Sequence, residues 1–188
     1  MSTRAAFSAR MIPASISGRL RIGAVMYWRP TGTIMPEKNS GDHAGMLHMI
    51  VEQTKDHPRR MIYDPAKGSF SESDRQSLLY ERHFSMPYGW IKESGTPPGK
   101  HWDCILMSRE DCRLGDEIEV EVIGLFRRAD LDHKYLVVRP SRAIRDYGEL
   151  TEEEKEELRR LYPHIREGEG WFGREEALYC MANHPKMD

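Results

Sequence analysis

The chain has 188 residues, 39% of them hydrophobic and 31% charged, with a net charge of −2. That length suits one domain with an appended arm, and near-neutrality offers no global basic field for nucleic acid or a membrane surface. No apolar run approaches the roughly 18 residues of a membrane helix. Three scattered cysteines, Cys104, Cys112 and Cys180, match neither a disulfide scaffold nor a zinc site, so the expectation is reduced thiols in a cytoplasmic protein.

The first 36 residues contain Arg4, Arg10, Arg19, Arg21 and Arg29 and no acid. Acid-free basic starts occur in mitochondrial transit peptides. The favoured expectation is an N-terminal arm or extra strands over residues 1–45, with Met11 as an alternative start. Residues 16–28 alternate loosely and read as one or two strands, and residues 30–45 as a loop rich in Gly, Pro, Asn, Asp and Ser. Residues 47–52 read as a strand. Residues 60–63 are a short strand leading into the turn Asp64-Pro65-Ala66-Lys67-Gly68. Residues 84–91 read as another strand, and 95–99 as a loop because Pro97-Pro98 cannot continue a ladder. In 118–126, Ile118, Val120 and Val122 alternate with Glu119 and Glu121, the pattern of a half-buried strand. Residues 134–138 form the next strand, ending before Pro140.

Thr151-Glu152-Glu153-Glu154 is a helix-starting capping box, and Leu158, Leu161, Tyr162 and Ile165 then share one helical face. Gly168-Glu169-Gly170 breaks that helix, and residues 174–182 suit a final one. Many short strands with regularly spaced turns indicate a barrel or sandwich.

Several landmarks recur in a fixed order. They are Val51-Glu52, Arg60 before a hairpin ending at Gly68, Tyr88-Gly89-Trp90-Ile91, and Asp103 at the head of an apolar strand. Gly124-Leu125-Phe126 follows, then Asp130, Asp132 and Lys134, then Tyr162 and Gly170-Trp171. Over residues 47–178 this series resembles the soluble, Mg²⁺-dependent inorganic pyrophosphatases. The resemblance implies a mainly β fold with α, an OB-type five-stranded twisted β-barrel flanked by two C-terminal helices. It would occupy residues 46–182 and leave a tail at 183–188. It also implies a homo-oligomer and, as ligand, pyrophosphate or another phosphorylated small molecule.

The resemblance further implies site residues. Asp103, Asp130, Asp132 and Glu52 stand where carboxylates hold Mg²⁺ or another divalent metal. Arg60, Lys134 and Tyr162 stand where phosphate is bound, with Arg75 or Arg82 as a further cation. Asp103, Tyr88 and Lys100 are the catalytic positions. The chain departs from the family at four places: Pro98 and Lys100 replace two aspartates of the metal loop, Ile62 an acid, and Pro163 a lysine. Lys100 takes the place of the aspartate that activates the attacking water, and an ammonium does not accept that proton at its ordinary pKa. These replacements move charge toward positive, so Lys100, Arg60, Lys134 and Arg127 or Arg128 could bind phosphate directly.

Two functions follow from different classes. One is a Mg²⁺-dependent phosphohydrolase acting on pyrophosphate or a related phosphoanhydride, weak or redirected to a larger substrate. The other is a non-catalytic descendant that binds an anionic ligand or a protein partner. An OB-type nucleic-acid module is disfavoured by the charge and by the lack of aromatics interleaved with Lys and Arg. His101 and Trp102 read as packing residues, although His101 beside Asp103 has the placing of a base.

Overall fold

The computed structural model describes residues 46–183. The arm expected over 1–45, with its strands at 16–28 and loop at 30–45, lies outside the described residues, as does the tail beyond 183. In chain order the elements are β1 (Leu47–Gln53), β2 (Arg59–Asp64), β3 (Ser69–Gln76), α1 (Leu78–Glu81), β4 (Tyr88–Ile91), β5 (Trp102–Leu106) and β6 (Glu117–Arg127). They continue with β7 (Lys134–Val138), α2 (Glu152–Leu161), β8 (Gly170–Gly173) and α3 (Arg174–Asn183). No helix among the described residues is long and apolar enough to cross a membrane.

Strands β1, β4, β5, β7 and β6 follow one another in the sheet, and β1 pairs again with β6, so five strands close into a barrel. Strand β8 adds to β6 outside the ring, and β2 and β3 form a separate hairpin. Every pairing is antiparallel except β5 with β7. This is the OB-type mixed barrel, and α2 and α3 are the two C-terminal helices.

The apolar runs in β5 and β7 are explained by burial on both faces. In β5, Cys104 and Leu106 join an apolar cluster that includes Ala177 and Cys180 of α3. Ile105, with Met107 just after the strand, joins a second cluster that includes Leu158 and Leu161 of α2. Strand β7 alternates the same way, with Tyr135 and Val137 on the α3 side and Leu136 and Val138 on the α2 side. Strand β6 begins half-exposed, with Glu117 and Glu119 at the surface, and becomes continuously buried from Val122 to Phe126.

Local chemistry sets the ends of the elements. Thr151 and Glu154 form the reciprocal capping box of α2. That helix stops at Leu161 because Pro163 disfavours helical geometry at Tyr162, which sits at φ −125°. Ile165 therefore lies past the helix and is exposed, not on its buried face as expected from its spacing. The strand expected over 84–91 is shorter than anticipated and starts at Tyr88. Ahead of it Ser85 is engaged by Glu157 of α2, its amide donating at 2.7 Å, and Pro87 lacks an N–H for a ladder.

The β2–β3 hairpin is tied to the barrel by Gln53, which is buried. Its side-chain oxygen accepts from the Met61 amide at 2.8 Å. Its side-chain nitrogen donates to the carbonyls of Thr54, His57 and Arg59 at 3.2–3.4 Å. Tyr63 and Phe70 of the hairpin pack against Trp90 of β4, at 5.3 and 6.3 Å between ring centroids. Truncating Gln53 leaves the buried Met61 amide without its acceptor. Gln53→Ala should lower the unfolding free energy by about 2–4 kcal/mol, read as a lower urea midpoint; an unchanged midpoint would remove this residue from its anchoring role.

Candidate functional site

A cleft of about 880 Å³ opens between the barrel and the β2–β3 hairpin, and it gathers most of the residues singled out from the sequence. Glu52, Arg60, Arg75, Tyr88, Asp103, Asp132, Lys134 and Tyr162 line it, together with Arg128 and His101. Lys100 and Asp130 are not among the lining residues. Arg82 turns away and donates to the Arg160 carbonyl at 3.0 Å. Arg127 is a strap to α3, donating to Glu176 at 2.6 Å and lying over the Phe172 ring. Ile62 and Pro98, two of the departures from the family pattern, line the cleft as apolar surface.

Sheet register places the central residues. Asp103 pairs with Trp90 on one side and, through the parallel β5–β7 ladder, with Lys134 on the other. Glu52 sits at an irregularity of β1, where pairing with β4 shifts between Val51 and Gln53. Such a bulge re-aims one side chain. Gly89 lies opposite Val51 because any side chain there would collide with the Ile50 carbonyl. The aromatic wall is built by Tyr162, stacked on Phe126 at 4.6 Å and 14°.

At the centre, Lys134 Nζ donates to Asp103 Oδ2 and, at 2.7 Å, to Asp132 Oδ1. His101 Nε2 lies 3.2 Å from Asp103 Oδ1, while its Nδ1 is 2.6 Å from the Gly99 carbonyl. The Tyr88 hydroxyl also hydrogen-bonds Asp103, and Lys134 lies 5.9 Å from the Tyr88 ring centroid. Burial alone would raise the Asp103 carboxyl, but hydrogen bonds from His101, Lys134 and Tyr88 and the Lys134 charge hold it well below the carboxylate range. Burial likewise opposes the Lys134 charge, and Asp103 and Asp132 outweigh it, so its pKa is raised. Removing Asp103 would cost about 3–5 kcal/mol, because the Lys134 charge stays buried.

Glu52 is different. It is only 6% exposed, and no hydrogen bond or ion pair holds it among the described residues. Burial and then the Asp103 charge push its carboxyl up to about 6, against opposing effects of Arg60, His101 and Lys134. Cys104, beside Asp103 in sequence, is fully buried and its thiol is pushed well up by that burial. It has no thiolate to offer as a nucleophile.

The fit of a divalent metal can be tested on the four expected carboxylates. Both oxygens of Asp103 accept from side-chain donors. Asp132 faces Lys134 through one oxygen and Arg128, at 3.5 Å, through the other. Asp130 accepts from Arg128 at 2.7 Å and from the Asp132 amide at 3.2 Å. Only Glu52 is unengaged. No group of three or more His, Cys, Asp or Glu among the described residues is arranged to hold a metal ion. Mg²⁺ demands an octahedron of oxygens, and here an ammonium stands between Asp103 and Asp132. These residues do not fit Mg²⁺.

Two members of the site were legible only in part. His101 reads as packing, with the placing of a base beside Asp103, and Arg128 stands as an alternative to Arg127; the Asp-x-Asp pair that begins two residues after Arg128 is the available signal. The raised Glu52 carboxyl has a sign that can be checked. Its folded pKa lies above the ordinary 4.5, so its charge costs nothing below about pH 4.5 and the full penalty above about pH 6. Glu52→Gln should therefore stabilise the protein by about 2 kcal/mol at about pH 8 and not at about pH 4, measured by urea unfolding.

No protein-family model matches the chain, and no curated protein does. Solved structures do. An inorganic pyrophosphatase from Ehrlichia chaffeensis superposes with a TM-score of 0.61 at 20% identity, over 74% of this chain and 92% of that one. One from Neisseria gonorrhoeae gives 0.59 at 19%, over 76% and 91%. One from Thermus thermophilus gives 0.53 at 22%, also over 76% and 91%. The chain therefore carries the fold of the soluble inorganic pyrophosphatases.

Proposed function

We propose that the chain is a phosphohydrolase that takes pyrophosphate or a related phosphoanhydride in this cleft. One observation carries the reading: Arg60, Arg75, Arg128 and Lys134 converge, with Tyr88 and Tyr162, on a single cleft of a pyrophosphatase-type barrel. Cleaving a phosphoanhydride is mostly positioning and charge stabilisation, and three guanidinium groups present planar donors suited to phosphate oxygens.

The attacking water must also lose a proton. Asp103 is far too acidic to take it. Lys100, which the resemblance puts in the place of the family's water-activating aspartate, offers only donors as an ammonium. Glu52, with its carboxyl near 6, is ionised at neutral pH yet basic enough to accept that proton. In this reading Glu52 is the base, the arginines receive the anion, and Asp103 holds Lys134 in place. The Mg²⁺ implied by the resemblance has no step here, because three of its four expected ligands, Asp103, Asp130 and Asp132, are engaged elsewhere. The cytoplasmic setting, in keeping with three free cysteines, and a homo-oligomeric assembly belong to the same proposal.

A second reading, a non-catalytic binder of the same anion, is favoured by the locked state of Asp103. Phosphate release from pyrophosphate separates the two. The first reading expects turnover in the wild type, lowered about 100-fold or more in Glu52→Gln and about tenfold or more in Arg60→Gln. No release above the uncatalysed rate, with or without Mg²⁺, would leave only the binder.

A further inference from the structure

The centre of the cleft holds a fixed ammonium between two carboxylates. We infer that this cleft receives its phosphorylated anion without a divalent cation, Arg60, Arg75 and Arg128 taking the phosphate oxygens while the Lys134 ammonium stays fixed between Asp103 and Asp132. The inference rests on the reading of the cleft as a phosphate site.

Three observations carry it. First, Lys134 is held from both sides, by Asp103 on the neighbouring strand and by Asp132 two residues earlier, and its side chain is only 7% exposed. The parallel register fixes it there, so it is part of the barrel wall and not a mobile surface cation. Second, a metal drawing on Asp103 and Asp132 would take carboxylate oxygens that already face Lys134, His101 and Arg128. Taking those oxygens would strand a buried ammonium that has no other side-chain acceptor among the described residues. Third, the chain has changed in the matching direction. Pro98 lines the cleft where the family pattern has an aspartate, as does Ile62, so two negative positions are apolar. Arg60, Arg75 and Arg128 line the remaining space with Asp74, and Arg128 is also paired with Asp130 and Asp132. An anion that elsewhere arrives wrapped in divalent metal meets fixed protein cations instead.

The test uses the full chain and imidodiphosphate, a pyrophosphate isostere with a nitrogen bridge that resists hydrolysis. Calorimetric titration in excess EDTA and in excess Mg²⁺ should give dissociation constants that agree within about threefold, far short of the tenfold step that 1.4 kcal/mol represents. Titrating Mn²⁺ in the absence of the isostere should leave its free-ion paramagnetic resonance signal undiminished by the protein. Asp132→Asn, exposed enough to be tolerated, removes a negative charge beside the anion and should tighten binding in EDTA severalfold. Arg128→Gln should weaken it about tenfold.

Binding seen only with Mg²⁺, loss of the free Mn²⁺ signal, or weaker binding in Asp132→Asn would each overturn the inference while the phosphate reading stood. No binding under either condition would overturn both.

Discussion

The pair formed by Lys134 and Asp103 is the constraint around which the site is organised. Both sit at the start of neighbouring parallel strands, and the ladder that joins those strands is the one parallel pairing in the barrel. Parallel neighbours require a long crossover. Here strand β6 and its flanking loops make that crossover, and β6 returns to pair with both β7 and β1. Closing the ring and juxtaposing the two charges are thus one topological event. Buried ion pairs are poor sources of net stability, so the value of this one lies in where it fixes an ammonium. Its hydrogen bonds from Tyr88 and His101 make it a network, costly to disturb at any single member.

Around that centre the molecule divides its work. The barrel supplies the acids, the buried lysine and the aromatic wall: Glu52, Asp103 and Lys134 on strands, Asp132 in the loop before β7 and Tyr162 at a helix end. The hairpin supplies Arg60 and Arg75 and is attached through one amide side chain and a trio of rings. Hence the most rigid element carries the groups that must not move, and the element with the most exposed residues carries those that meet the ligand. Ile62, next to Arg60 on the same face of its strand, makes part of this approach apolar.

Much of this arrangement was legible in the residues. The Ile118-to-Phe126 alternation, the strand ending before Pro140 and the Thr151 capping box each follow from a local pattern with one physical solution. What escaped was non-local. Residues 84–87 have strand composition, but the Ser85 amide goes to a glutamate on α2, over seventy positions away, and the Phe84 amide to the Leu79 carbonyl. The four residues of β8 carry too short a pattern to stand out, and they are a strand only because β6 offers an edge. The site divides the same way: Asp103, Lys134 and Tyr88 are visible through an ordered series of landmarks. The solitude of Glu52 and the bond from His101 to Asp103 depend on a bulge and a register that no short window of sequence encodes.

Helix α2 also has a metrical role. Its first residue is fixed by the Thr151 cap and its last by Pro163, so its length is set from both ends. Tyr162 stands immediately after it, with its amide bonded to the Leu158 carbonyl and its ring against Phe126. Successive residues of a helix are rotated by roughly 100° about the axis. One residue more or fewer between the two stops would swing the aromatic wall off the cleft, while leaving every strand untouched. Across divergent chains of this fold, the count of residues in this helix should then be held more tightly than their identities, because it acts as the angular gauge of the site.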